Sequence, residues 1–162
     1  MIITDQLQPD DIPQLWDIDK AVWTPENTPA LQQYEDYDAY AASLWHQSLL
    51  LAKEEASGKV LGCVSYHHPS PLPAHRRHWV LGIAIAPEAQ GQQVGRQLMT
   101  ELIRRGTEAG IGKLSLEVFA TNPGARKFYQ KIGFVDEGLA KREFWINETW
   151  VNEYRMAYYI GD

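Results

Sequence analysis

Between residues 78 and about 109 the chain switches its hydrophobic period once, and that switch restricts the available folds more than any other feature. Residues 78–86, His-Trp-Val-Leu-Gly-Ile-Ala-Ile-Ala, read as a long apolar strand. A loop carrying Gly91 follows, and from Val94 to about Ala109 the period becomes helical, with Val94, Leu98, Leu102 and Ile103 on one face. Gly110 and Gly112 end that helix. A mostly apolar strand turning through a glycine loop into an amphipathic helix belongs to a central sheet with helices against it, so an α/β or α+β architecture is expected.

The rest of the chain extends this pattern. It has no repeats and no linker long enough to divide it, so one domain over residues 1–162 is expected. Residues 2–7 read as a short strand, and Asp10 or Asp11 is placed to cap a helix burying Ile12, Leu15, Trp16, Ile18 and Val22. Thr28 and Pro29 have the form of a second helix start, predicting a helix rich in Tyr and acid to about His46. Strands at 48–54 and 59–67 flank Ala56-Ser57-Gly58, a hairpin turn. Gly82, within the long strand, suggests a bulge or a close backbone approach. Residues 113–120 form a further strand, and Asn122-Pro123 opens a helix that Gly133 closes. Strands at 134–145 and 149–160 then make an antiparallel hairpin around Ile146-Asn147-Glu148.

Charge and composition narrow the function. The net charge of −6, from 15 basic and 21 acidic residues, argues against a nucleic-acid partner, because phosphate binding needs clustered Lys and Arg. An acidic balance suits a cationic acceptor such as an amine, although it equally serves solubility. No apolar run approaches the roughly 20 residues that span a bilayer, so no membrane association is expected. The N-terminus does not resemble a signal peptide. One cysteine, Cys63, excludes an internal disulfide and fits a reducing cytoplasm. His67, His68, His75 and His78 lack a fixed ligand spacing, so no metal is expected.

Two segments carry chemistry. In the first, Gly91 and Gly95 bracket the entry to a helix. Backbone N–H groups there, with the partial positive charge of the helix start and the guanidinium of Arg96, suit a pyrophosphate. The spacing fits neither a P-loop nor a dinucleotide fingerprint. In the second segment, Glu117 lies on a strand and Asn122 near a helix start. Tyr129, seven residues after Asn122, is about two turns on and shares its face. Acyl transfer from a thioester to an amine needs a base for the amine and an acid for the departing thiolate. A strand Glu and a helix Tyr meet those needs, while each residue alone also reads as an ordinary surface, core-edge or capping residue.

Together these segments resemble the GNAT superfamily of N-acetyltransferases. Gln90-Gly91-Gln92-Gln93-Val94-Gly95 is similar to the family's Q/R-x-x-G-x-G/A motif, with Gln93 where the inner glycine belongs. Asn122-x-x-Ala125-x-x-x-Tyr129-x-x-x-Gly133-Phe134 resembles its second motif closely. The resemblance implies a mixed, mostly antiparallel central sheet of about seven strands flanked by about four helices and splayed at the cofactor site. It implies acetyl-CoA as acyl donor, attacked directly by an amine in a ternary complex. By the same resemblance Ile83, Ala84 and Ile85 would present backbone groups to the pantetheine arm. Gly91, Gln92, Gln93, Val94, Gly95 and Arg96 would hold the pyrophosphate, and Asn122 would hydrogen-bond the arm. Tyr129 would protonate the thiolate, and Glu117 would serve as base, directly or through a water. A non-catalytic acyl-CoA sensor with the same fold stays open, supported by Gln93.

The family builds its acceptor pocket from the first two helices, their connection and the C-terminal hairpin. That points to Trp23, Glu26, Asn27, Tyr34, Tyr37 and Trp145, with Asp38, Asn147 and Trp150 beside them. Aromatic rings with acidic neighbours suit an ammonium group, in a small cationic amine or a peptide N-terminus. They equally suit a core edge or an interface, and the family's frequent pairing makes a homodimer an expectation.

Overall fold

The computed structural model describes residues 1–30 and 36–161. Its strands are β1 (Ile2–Thr4), β2 (Ser48–Lys53), β3 (Val60–His67), β4 (His78–Ile85), β5 (Lys113–Phe119), β6 (Val135–Ile146) and β7 (Thr149–Tyr159). Its helices are α1 (Asp11–Val22), α2 (Tyr37–Leu44), α3 (Val94–Glu108) and α4 (Pro123–Ile132). The seven strands join in the order β1-β2-β3-β4-β5-β7-β6. The β1–β2, β2–β3, β5–β7 and β6–β7 pairs are antiparallel, and β4–β5 is parallel. This is the mixed sheet with flanking helices that the sequence implied.

The chain divides into two compact units. One comprises Met1–Val22, Gln32–His67 and Leu81–Gly106, the other Trp23–Leu31, His68–Val80 and Thr107–Asp162. Strand β4 contributes to both. Its parallel ladder to β5 covers His78↔Lys113, Trp79↔Leu114 and Val80↔Ser115, and Leu81–Ile85 belong to the first unit.

In the first unit Leu50, Leu51, Val64, Leu98, Met99 and Leu102 are fully buried. Asp11 is buried as well, and it starts α1 rather than preceding it. Its carboxylate accepts the Gln8 N–H at 2.9 Å and pairs with Lys53 Nζ at 2.6 Å, so the buried charge is answered twice. The close approach expected at Gly82 falls instead at Gly62. A Cβ there would lie 2.6 Å from Ile85 Cδ1 and 3.1 Å from the Ala84 carbonyl oxygen, whereas one at Gly82 would meet only Ser65 Oγ at 3.5 Å.

The second helix begins later than Pro29. Thr28 Oγ1 accepts from the Ala30 N–H in a local turn, and Asp36 is the N-cap, accepting from the Ala39 N–H at 2.8 Å. In the second unit the core is built by Leu114, Leu116, Val118, Phe119, Phe134, Met156 and Ala157. Asn147 and Glu148, both at positive φ of 51° and 59°, make the tight turn between β6 and β7, as the sequence indicated.

Candidate active site

Strand β4 ends at Ile85, and a short 3₁₀ turn at Pro87–Ala89 leads into the glycine loop. The Gln92 side chain donates to the Glu88 carbonyl at 2.9 Å and holds the loop's shape. Gly91 has a φ of 76°, and a Cβ placed on it would meet nothing. Gln93 has a φ of 67° and so adopts the left-handed backbone that a glycine would take without penalty. Its carbonyl accepts the Gln97 N–H at 3.1 Å, which makes it the first cap of α3. The N–H groups of Val94, Gly95 and Arg96 find no acceptor among the described residues. Three free donors at a helix start, with an exposed Arg96 guanidinium, fit an anion such as a pyrophosphate. Ile83, Ala84 and Ile85 lie beyond the last β4–β5 ladder pair, in this same unit.

In the second unit Asn122 is the N-cap of α4. Its Oδ1 accepts from the Ala125 N–H at 3.3 Å, leaving the amide NH₂ without a partner among the described residues. Tyr129, on the same helix, is 7% exposed and packed against Phe128 and Phe134, at ring-centroid distances of 5.2 and 5.5 Å. Its hydroxyl makes no hydrogen bond among the described residues. No fully buried side-chain polar atom among those residues lacks a partner, so the Tyr129 oxygen retains some contact with solvent. A phenol carries its proton at neutral pH, and burial pushes this one further above its ordinary value. That is the state required of an acid.

Glu117, on β5, is exposed and accepts from Arg155 Nη2 at 3.2 Å. The β5–β7 register places Arg155 opposite Glu117 and Glu153 opposite Phe119, so these four side chains share one face of the sheet. Glu153 escaped the sequence reading. It is half-buried, and its carboxyl is pushed up to about 7, chiefly by burial and then by the charges of Glu117 and Glu143, against the lowering effect of Arg155. The period-2 run Val151, Glu153, Arg155, Ala157 could have placed Glu153 beside the buried Val151. The charges of β5 and β6 that act on it required the register.

The acceptor-side candidates separate. Trp23, Glu26 and Asn27 lie in the second unit. Thr121 Oγ1 donates to the Glu26 carbonyl at 2.8 Å, tying this loop to the end of β5. Asn27 Oδ1 accepts the Thr24 N–H at 2.8 Å and so shapes its own turn. Tyr37 belongs to the first unit and meets Trp16 edge-on at 5.8 Å. Trp145 is 59% exposed and stacks edge-on with Trp150 at the hairpin tip, 5.1 Å apart. Tyr34 lies outside the described residues. Cys63 is half-buried, and burial pushes its thiol up, which disfavours the reactive thiolate. His68 Nδ1 lies 3.0 Å from the carbonyls of both His75 and His78, and His78 Nε2 is 2.7 Å from Ser115 Oγ. Among the described residues no His, Cys, Asp and Glu cluster could hold a metal, and no helix is long and apolar enough to cross a membrane.

A family model described as the acetyltransferase (GNAT) family matches residues 12–134, which include the glycine loop and the whole of α4. The chain belongs to the GNAT family. Within that family it is 32% identical over 133 residues to a mycothiol acetyltransferase of Paenarthrobacter aurescens, covering 72% of this chain and 39% of that one. The chain spans about half or less of the length of the curated relatives it matches first. Among solved structures it is similar to a ribosomal-protein-alanine N-acetyltransferase of Brucella melitensis, with a TM-score of 0.82 and 25% identity over 99% of this chain and 100% of that one. The GNAT fold recurs in yncA, a putative acetyltransferase of Salmonella typhimurium solved with acetyl-CoA. There the TM-score is 0.84 at 18% identity, covering 100% of this chain and 95% of that one.

Proposed function

We propose that this protein moves an acetyl group from acetyl-CoA to a primary amine by direct attack in a ternary complex. The acceptor is a small cationic amine or a peptide N-terminus. The observation that carries this reading is Tyr129: a buried phenol, held protonated, whose hydroxyl has no partner among the described residues. A side chain in that state is suited to give a proton to a departing thiolate.

Acetyl-CoA supplies the thioester that the amine attacks. The free N–H groups of Val94, Gly95 and Arg96, the left-handed loop at Gly91 and Gln93, and the Arg96 side chain are the groups to hold its pyrophosphate. Ile83, Ala84 and Ile85 offer backbone groups to the pantetheine arm, and Asn122 has an amide NH₂ to donate to it. A backbone N–H of β4 would also polarise the thioester carbonyl. Glu117, exposed on β5, provides negative charge for an ammonium. Mycothiol acetyltransferase and ribosomal-protein-alanine N-acetyltransferase, the names of two similar proteins, point to different acceptors. The lone, half-buried Cys63 suits a reducing cytoplasm.

The test is thiol release from acetyl-CoA across small amines and peptide N-termini. Release that depends on one acceptor class is expected. In Tyr129→Phe, turnover should fall about 10²-fold or more, with acetyl-CoA affinity unchanged because the ring packing survives. Acetyl-CoA binding with no release to any acceptor would favour a sensor. Unchanged turnover at saturating acceptor in Tyr129→Phe would remove that residue from the reaction.

A further inference from the structure

The face shared by β5, β6 and β7 holds a carboxylate that the reading above leaves unused. Glu153 is half-buried, and its carboxylate makes no hydrogen bond or ion pair among the described residues. Glu117, its diagonal neighbour across the ladder, has 51% of its side chain exposed and is tied to Arg155 at 3.2 Å. The arrangement depends on β6. Between Ala140 and Phe144 its register slips against β7. Arg142 takes a φ of 51° and donates its N–H to Asn152 Oδ1 at 2.8 Å. This bulge puts Glu143 close enough for its charge to act on Glu153. Phe119, opposite Glu153, packs on Phe144 at 5.3 Å and gives that side of the carboxylate an apolar wall.

We propose that Glu153 is the group that takes the proton from the acceptor ammonium, while Glu117 holds the ammonium's charge beside it. The assignment rests on the acetyltransferase reading. A carboxylate paired with a guanidinium is a weak proton acceptor, and a partly desolvated one beside like charges is a stronger one. The charged groups acting on Glu153 are Glu117 of β5, Glu143 of β6 and Arg155 of β7. With burial they place its carboxyl at about 7, where it exchanges a proton near neutral pH.

In the reaction, one ammonium proton passes to Glu153 and the freed nitrogen lone pair forms the new C–N bond. The C–S bond breaks, and its electron pair leaves on sulfur. The Tyr129 proton goes to that sulfur. A second nitrogen proton restores the Tyr129 hydroxyl through water, and Glu153 returns its proton to solvent. The net products are amide, thiol and one proton.

The experiment measures kcat/KM for thiol release from about pH 5.5 to 9, with spermidine and an alanine-headed peptide as the probe acceptors. Wild type, Glu153→Gln and Glu117→Gln are compared. Wild type should rise through an inflection near 7. Glu153→Gln should lose the inflection and fall about 10²- to 10⁴-fold. Glu117→Gln should keep the inflection but move it to lower pH, because one negative neighbour is gone. A Glu153→Gln enzyme with the rate and inflection of wild type overturns the assignment. Loss of the inflection in Glu117→Gln alone gives the role to Glu117. A carbon-13 carboxyl titration of glutamate-labelled protein needs no acceptor. A resonance titrating near 7 that vanishes in Glu153→Gln supports the assignment, and its absence from wild type overturns it even in an active enzyme. Wild type that releases no thiol to any acceptor in the wider panel overturns the acetyltransferase reading itself, and this assignment with it.

Discussion

Glutamine at position 153 should stabilise the protein at alkaline pH and leave its acid stability nearly unchanged. In the folded chain the Glu153 carboxyl sits at about 7, against 4.5 for a free glutamate. A raised folded value means that the fold prefers the protonated form. That contribution is fully present below about pH 4.5 and is lost as pH climbs through about 7. Above pH 7 the wild type therefore bears a charge that the fold disfavours, and glutamine does not. At about 1.4 kcal/mol per pH unit the displacement corresponds to about 3.4 kcal/mol for a group fully shielded from water. Glu153 keeps much of its water contact, and screening reduces the figure to about 1 kcal/mol. For a chain of this size that moves Tm by about 2–4 °C. Thermal unfolding of both proteins should show that gain at about pH 8.5 and none at about pH 4.5. An equal difference at both pH values, or a less stable variant at the higher one, would refute the electrostatic reasoning. It would mean that the glutamate's shape, not its charge, matters to the fold.

Two further outcomes test the frame around the site. Asp11→Ala leaves Lys53, 14% exposed at its side chain, without its partner and the Gln8 N–H without its acceptor. Urea unfolding should show a loss of about 3–5 kcal/mol, and a loss below about 1 kcal/mol would mean that the pair is effectively solvated. Gln93→Gly removes the left-handed penalty at a φ of 67°, worth about 1–2 kcal/mol. It adds about 0.5–1 kcal/mol of chain entropy. The net gain of about 0.5–1 kcal/mol should appear as a small rise in Tm, and a fall would show that the Gln93 side chain contributes more than its backbone costs.

Local chemistry was the most legible part of the sequence. Gly58 at a φ of 73° closes the first hairpin, Gly133 at 124° ends α4, and Asn122-Pro123 starts it, because turn and cap residues act within a few positions of themselves. The start of α2 misled for the same reason. Thr28 and Asp36 both carry a capping oxygen, and only their local hydrogen bonds distinguish a turn from a helix start. Gly82 interrupts an apolar strand but has room for a side chain, whereas Gly62 is the position where one would strike its neighbours.

The sequence by itself determined the order of elements, the glycine loop at the start of α3 and the Asn122–Tyr129 spacing on α4, since each is set by contacts a few residues apart. Only the tertiary structure decided the state of the titrating groups. Tyr129 is a buried phenol because α4 packs it against Phe128 and Phe134, and burial raises its value above that of a free phenol. Glu153 differs from Glu117 because strand register sets Arg155 opposite one carboxylate and a buried phenylalanine opposite the other. Residues 38 positions apart in the chain meet only when the sheet forms, and both desolvation and charge depend on that meeting.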